Sequence, residues 1–179
     1  MSFISTLVTK DKGDTMHTDC DPTATTAVQN DFDFMFGSWT VKHRRLKERL
    51  TGCDDWEVFD GLSQTQPILA GNGNIEDNFV GFPGQPYRAI ALRSFDPGSG
   101  VWAIWWLDGR LPHMLDTPVK GAFTGDIGEF RANDVLNGQP IIVRFLWKKG
   151  PVPRWEQAFS TDDGTTWETN WTMDFTPAA

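Results

Sequence analysis

The sequence predicts an all-β domain, a closed antiparallel up-and-down barrel of about eight to ten strands. Three observations predict it. Aromatic residues of the strand-favouring kind are dense, with nine Trp and thirteen Phe against one Tyr. Apolar and polar residues alternate over short runs from Trp39 almost to the end of the chain. Turn-forming residues separate those runs at short intervals, and an open meander of that length would leave two edges that closure removes. A two-sheet β-sandwich is the second architecture compatible with the pattern.

Residues 1–30 are rich in Thr and Asp without sustained periodicity, which predicts a disordered N-terminal extension, with 31–179 as the barrel domain. Met16 is an alternative start within that extension. Phe32, Phe34, Met35 and Phe36 form an apolar knot, expected to be a short helical turn plugging one end of the barrel. Strand-like runs follow at 39–47, 56–65, 71–78, 87–95 and 101–108. Further runs lie at 119–124, 129–135, 141–148, 154–160 and 167–175. The connections carry recognisable turn chemistry. Asp96-Pro97-Gly98-Ser99-Gly100 and Gly125-Asp126-Ile127-Gly128 are turn clusters, and Asn137-Gly138 is the dipeptide favoured by two-residue hairpins.

Composition narrows the function classes. With 39% hydrophobic and 22% charged residues, the chain is of ordinary globular type. A net charge of −8 argues against nonspecific attraction to phosphate backbones, so no nucleic acid is expected as a partner. The local cluster Lys42, His43, Arg44, Arg45, Lys47 and Arg49 reads first as a strand with a solvated face. Cys20 and Cys53 belong to no CxxC or Cys/His cluster and are expected to be free thiols. No apolar run approaches the roughly 18 residues of a membrane-spanning helix, and the N-terminus lacks the features of a signal peptide. No membrane contact and a cytoplasmic location are the resulting expectations.

Gly37-Ser38-Trp39 is similar to the Gly-x-Trp that opens lipocalin-type barrels. The wider run Phe34-Met35-Phe36-Gly37-Ser38-Trp39-Thr40-Val41-Lys42-His43-Arg44-Arg45-Leu46 adds to this. So do Trp105-Trp106-Leu107-Asp108, Arg154-Trp155-Glu156-Gln157-Ala158-Phe159-Ser160 and Trp167-Glu168-Thr169-Asn170-Trp171. Together they resemble an uncharacterised bacterial family of calycin-like barrels, the class of lipocalins and fatty-acid-binding proteins, over roughly residues 31–176. The resemblance implies a barrel with a small-molecule cavity and carries no catalytic assignment. Ser160-Thr161-Asp162-Asp163-Gly164-Thr165-Thr166-Trp167 matches the Asp box of sialidase propellers. One copy in a chain this short reads as a hairpin staple: Asp caps the turn, Gly relieves strain and Trp packs beneath.

If Trp39 faces inward, as the Gly-x-Trp resemblance implies, Val41, His43 and Arg45 share its face, with His43 roughly 13 Å along the strand. An imidazole and a guanidinium inside an aromatic cavity would need carboxylates or a bound anion, and Glu57, Asp108 and Glu156 are candidate partners. The opposite facing, or a hydrogen-bonded core role for His43, is the alternative. Trp167, Thr169, Trp171, Met173 and Phe175 alternate with polar residues and are expected to face the core. On the preceding run Trp155, Gln157 and Phe159 share a face, leaving Gln157 as a buried polar group able to orient a ligand. Trp102, Trp105 and Trp106 put an indole on both faces of one strand, and the outward one suggests a homodimer contact.

Beside an interaction protein that dimerises through its Trp-rich outer face, two functions of the cavity are compatible with these residues. The first is binding of a small apolar or aromatic molecule, an anionic one included. Its candidate ligand-binding set is Trp39, Arg45, Tyr87, Arg93, Trp105, His113, Trp155, Gln157 and Trp171. The alternative is a cofactor-independent isomerase, cyclase, lyase or hydrolase. There His43 would be the acid/base, Glu57 or Asp108 its partner, and Arg45 the stabiliser of developing negative charge. The loop 108–118, with His113 and Asp116, could cover the barrel mouth. Some small calycin barrels bind haem through a His, which here would need His43 or His113 at that mouth. The histidines lack metal-ligand spacing, and neither a phosphate loop nor a dinucleotide fingerprint occurs. No metal and no cofactor are therefore expected.

Overall fold

The computed structural model describes residues 30–178. The extension expected over 1–30 (Asn30 apart), with Met16 and Cys20, lies outside the described residues.

Ten antiparallel strands close into one barrel. They are β1 (Gly37–Leu46), β2 (Trp56–Ile68), β3 (Gly73–Val80), β4 (Tyr87–Asp96) and β5 (Val101–Asp108). The circuit continues with β6 (Val119–Thr124), β7 (Ile127–Leu136), β8 (Gln139–Lys148), β9 (Arg154–Ser160) and β10 (Glu168–Pro177). Each strand pairs with its neighbour in sequence, and β1 pairs with β10 from Trp39 opposite Pro177 to Arg45 opposite Trp171. Closure joins the first strand to the last, the solution the alternating sequence calls for, while Trp105 to Asp108 of β5 and Ala132 to Leu136 of β7 run past the short β6 without pairing to it. Among the described residues helix is confined to two 3-10 turns, Asp33–Met35 and Leu69–Gly71.

The turns form where local chemistry directs them. Asn137 and Gly138 both take positive φ, 52° and 84°, as a two-residue hairpin between twisted strands requires. Asp96 accepts hydrogen bonds from Gly98 N at 2.9 Å and Ser99 Oγ at 2.6 Å, tying its own turn. In the β9–β10 hairpin the Asp162 carboxylate accepts from Thr166 N at 2.9 Å, Thr166 Oγ1 at 2.7 Å and Ser160 Oγ at 2.7 Å. These bonds, those from Thr166 foremost, lower the Asp162 pKa to about 2.

One strand departs from its simple alternation. The register of β10 against β9 shifts between Thr169, opposite Ala158, and Trp171, opposite Gln157. The extra residue reverses the facing of everything before it. Trp171, Met173 and Phe175 are buried core residues as the alternation predicts, but Trp167 and Thr169 are not on the core face. Trp167 lies instead between the guanidinium groups of Arg144 at 4.2 Å and Arg131 at 5.2 Å, with its Nε1 donating to Gly164 O. No period-two reading can anticipate a bulge, and that is the physical reason for the correction.

The two barrel ends differ in chemistry. At the end where β1 begins, the Phe32 ring meets Trp102 and Phe123 edge-on at 5.0 Å and Trp147 at 5.8 Å. Met35 and Phe130 are fully buried in the same cluster. This aromatic end also buries Arg93, whose guanidinium lies 4.9 Å from the ring centres of both Phe32 and Trp147. Arg93 pairs with Glu76 and donates to Asn74 Oδ1 at 2.8 Å, while Ser63 Oγ donates to the other Glu76 oxygen at 2.9 Å. The opposite end, where β1 finishes, collects Arg45, Arg49 and Arg110.

Candidate ligand cavity

A cavity of about 290 Å³ occupies the barrel between its middle and the arginine end. Inward positions of four strands build most of its apolar wall: Ile104 and Trp106 from β5, Phe145 from β8, Trp155 from β9, Trp171 and Met173 from β10. At about 30 Å³ for a water-sized group in a liquid, the space suits a ligand of roughly ten non-hydrogen atoms. Gln157 is the polar group set into this wall, where its amide donates to Asn170 Oδ1 at 2.8 Å. The loop 109–118 runs beside β5, held by a bridge between Leu107 and Leu115 and by Asp116 N donating to Trp106 O. It brings Arg110, Leu111 and Asp116 to the rim.

The charges at this end are unevenly compensated. Arg110 donates to both carboxylate oxygens of Asp108, from Nε at 3.0 Å and Nη2 at 2.6 Å, and lies 3.7 Å over the Tyr87 ring. The Arg110 hydrogen bonds lower the Asp108 pKa. Arg45 and Arg49 have no carboxylate within ion-pair distance among the described residues. Arg45 rests instead on aromatic faces, 4.7 Å from Trp171 and 5.4 Å from Phe82. Burial lowers the Arg45 pKa; Tyr87 opposes the shift and Arg110 adds to it. Arg49 is lowered to about 10, first by burial and then by the like charge of Arg45, and its Nε is buried without a hydrogen-bond partner. Across the rim Asp116 has its pKa raised by burial and by the neighbouring Asp134 and Asp108. One side of the mouth is therefore cationic with no ion-pair partner, and the other carries Asp116, a carboxyl more ready than usual to hold a proton.

His43 faces inward with Trp39, Val41 and Arg45, yet it is not part of the cavity wall. Its ring stacks on Phe59 at 4.8 Å, and its Nδ1 accepts a hydrogen bond from Trp171 Nε1 at 3.2 Å. A Cβ at Gly61 would fall 2.5 Å from its Nε2, so the glycine is what makes room for the imidazole. Burial lowers the His43 pKa to about 4, with Asp60 opposing and Arg45 adding to the shift. This is the environment of a neutral, hydrogen-bonded core histidine.

The structure divides the remaining candidates. Arg45, Tyr87, Asp108, Trp155, Gln157 and Trp171 line the cavity together. Glu57 stands opposite Arg45 rather than His43, whose cross-strand neighbour is Phe59, and it borders the outer mouth. Glu156 is no partner for an inward cation, because it pairs with Arg154 at 2.7 Å on the other face of β9 from Trp155 and Gln157. Trp39 is buried with its Nε1 donating to Met35 O at 2.8 Å, away from the cavity wall. Arg93 belongs to the aromatic end, and Trp105 alternates away from Trp106 and borders only a small void there. His113 is exposed in the loop and is not part of the cavity wall. Neither a family model nor a curated protein matches the chain. No helix among the described residues is long and apolar enough to cross a membrane.

Sequence reasoning gave Arg49 no inward role and left out Arg110 and Asp134. Arg49 and Arg110 lie beyond strand ends, where alternation no longer reports facing, whereas Asp134 follows the inward alternation of Phe130 and Ala132 within β7. The signal that could have found them is their position in the connections that follow the inward Arg45 and Asp108 and near the end of β7.

Proposed function

We propose that this calycin-like barrel, with the Asp33–Met35 turn as the plug of its aromatic end, binds a small organic anion with an apolar body. The carrying observation is that Arg45 and Arg49 stand on the wall of an aromatic cavity with no carboxylate within ion-pair distance among the described residues, whereas Arg93 and Arg110 each have one. A half-buried guanidinium loses hydration, and a chain that leaves two of them unpaired side by side sets a site for an incoming negative group. Tyr87, beside Arg45, adds a hydroxyl, and Gln157 orients the buried part. Acid/base chemistry at His43 draws no support from its placement, since its Nδ1 is committed to Trp171 and its ring lies outside the cavity wall.

Octanoate and octanol, of about ten non-hydrogen atoms each, test the reading through Trp emission, because Trp106, Trp155 and Trp171 line the site. Octanoate is expected to change the emission saturably and to bind tenfold or more tightly than octanol, the ratio for a charged hydrogen bond of about 1.5–3 kcal/mol. Equal affinities would remove the anion anchor and keep the cavity. No response to either, with no change in thermal midpoint, would remove the binding function.

A further inference from the structure

Beneath the ligand cavity, toward the aromatic end, lies a separate void of about 30 Å³. It is bounded by Glu76, Arg93 and Trp147, and it shares Ile104, Trp106, Phe145, Trp155 and Met173 with the cavity above. Two of its bounding side chains carry buried N–H groups without a hydrogen-bond partner, Arg93 Nε and Trp147 Nε1. Both residues are almost completely buried, at 1% and 3% exposure, so bulk water cannot satisfy them. The guanidinium lies over the indole at 4.9 Å, which places the two donors in one neighbourhood. Glu76 supplies acceptors. Its oxygens take one bond each from Ser63 and Arg93, and a carboxylate oxygen has room for more than one.

A buried unsatisfied donor costs about 1–3 kcal/mol, so two beside one void are a strong reason for that void to be filled. Its size exceeds the ~10–15 Å³ that one water requires, and its three polar neighbours match the two to four bonds of a typical internal water. We propose that this void is a site for one oxygen atom, which accepts from Arg93 Nε–H and Trp147 Nε1–H. In the free protein the oxygen is that of a water molecule, which donates in turn to Glu76. The net charge of the site is balanced by the Arg93–Glu76 pair, so a neutral oxygen fits and a second anion does not. The site goes beyond the anion reading above and stands without it. If that reading holds, the site has a consequence for the ligand: a hydroxyl or carbonyl at its inner end can take the water's place, while a bare methyl end stops above it.

The test uses the full-length, uniformly ¹⁵N-labelled protein. Cross-relaxation from water to the Trp147 indole N–H and the Arg93 Nε–H is expected, with Trp147→Phe assigning the indole signal by its loss. A crystal structure provides the second measurement, independent of whether that variant folds. It should show one density peak within hydrogen-bond distance of both nitrogens. No water cross-peak at either donor together with an empty void would overturn the proposal. Octanoate and 8-hydroxyoctanoate then separate the two sources of the oxygen. Retention of the water signal with both acids assigns the oxygen to solvent alone. Its loss with the hydroxy acid only assigns it to the ligand's inner end as well. Absence of binding by either acid would count against the anion reading, and the water signal of the free protein would still decide whether this site is filled.

Discussion

The two ends of the barrel both hold arginine against aromatic rings, and they treat the charge in opposite ways. At the aromatic end Arg93 is buried between Phe32 and Trp147 and is answered within the chain by Glu76 and Asn74, with Ser63 bracing Glu76. At the other end Arg45 lies over Trp171 and Phe82, and Arg49 over Phe159 at 5.8 Å, with no carboxylate within ion-pair distance of either among the described residues. The same pairing of guanidinium and π face thus serves structure at one end and is left incomplete at the other. A charge the chain neutralises belongs to folding. A charge it leaves open at a cavity mouth is available for recognition.

The largest effect separating the ends is expected from Glu76→Gln. The substitution leaves the Arg93 charge buried without a carboxylate, and breaking such a pair by removing one partner costs about 3–5 kcal/mol. Urea unfolding at neutral pH measures it. A loss below about 1 kcal/mol would show that Arg93 finds solvent and that the aromatic end is not sealed.

A slightly smaller effect is expected on acidification. The folded His43 pKa of about 4 lies below the ordinary 6.5, so on acidification the unfolded chain takes up its proton first. The stability this difference supplies is complete above about pH 6.5 and is lost as pH falls toward 4. The shift of some 2.5 units corresponds to about 3 kcal/mol. Wild type should lose that much more than His43→Gln between pH 7 and pH 4 in parallel urea titrations. An equal loss in both proteins would show that His43 is not held neutral.

The barrel was open to reading from the chain because its evidence is periodic. Trp39, Val41, His43 and Arg45 do face inward, the Asn137-Gly138 hairpin forms, and β1 and β10 meet to close the circuit. Trp167 escaped because a bulge before Trp171 reverses its facing, and a bulge is a matter of cross-strand register that one strand's sequence does not report. The site was half visible for a related reason. Arg45, Trp155, Gln157 and Trp171 come from strand interiors, whereas Arg49, Arg110 and Asp116 come from connections placed by tertiary packing. His43 and Glu57, expected as partners, are set apart by the pairing of β1 with β2, in which Glu57 faces Arg45.

The smallest expected effect on the free protein is the one that bears most directly on the open charges at the mouth. Replacing both mouth arginines, Arg45→Gln with Arg49→Gln, removes charges that the chain does not pair. It should leave the unliganded stability within about 0.5 kcal/mol of wild type, or raise it. Thermal unfolding of both proteins, with and without a large excess of octanoate, is the decisive measurement. At about 100 times the dissociation constant a ligand adds about 2.7 kcal/mol, and that rise is expected in wild type and not in the double variant. A double variant that is markedly destabilised without ligand, or that octanoate stabilises as much as wild type, would contradict an anion site at this end of the barrel.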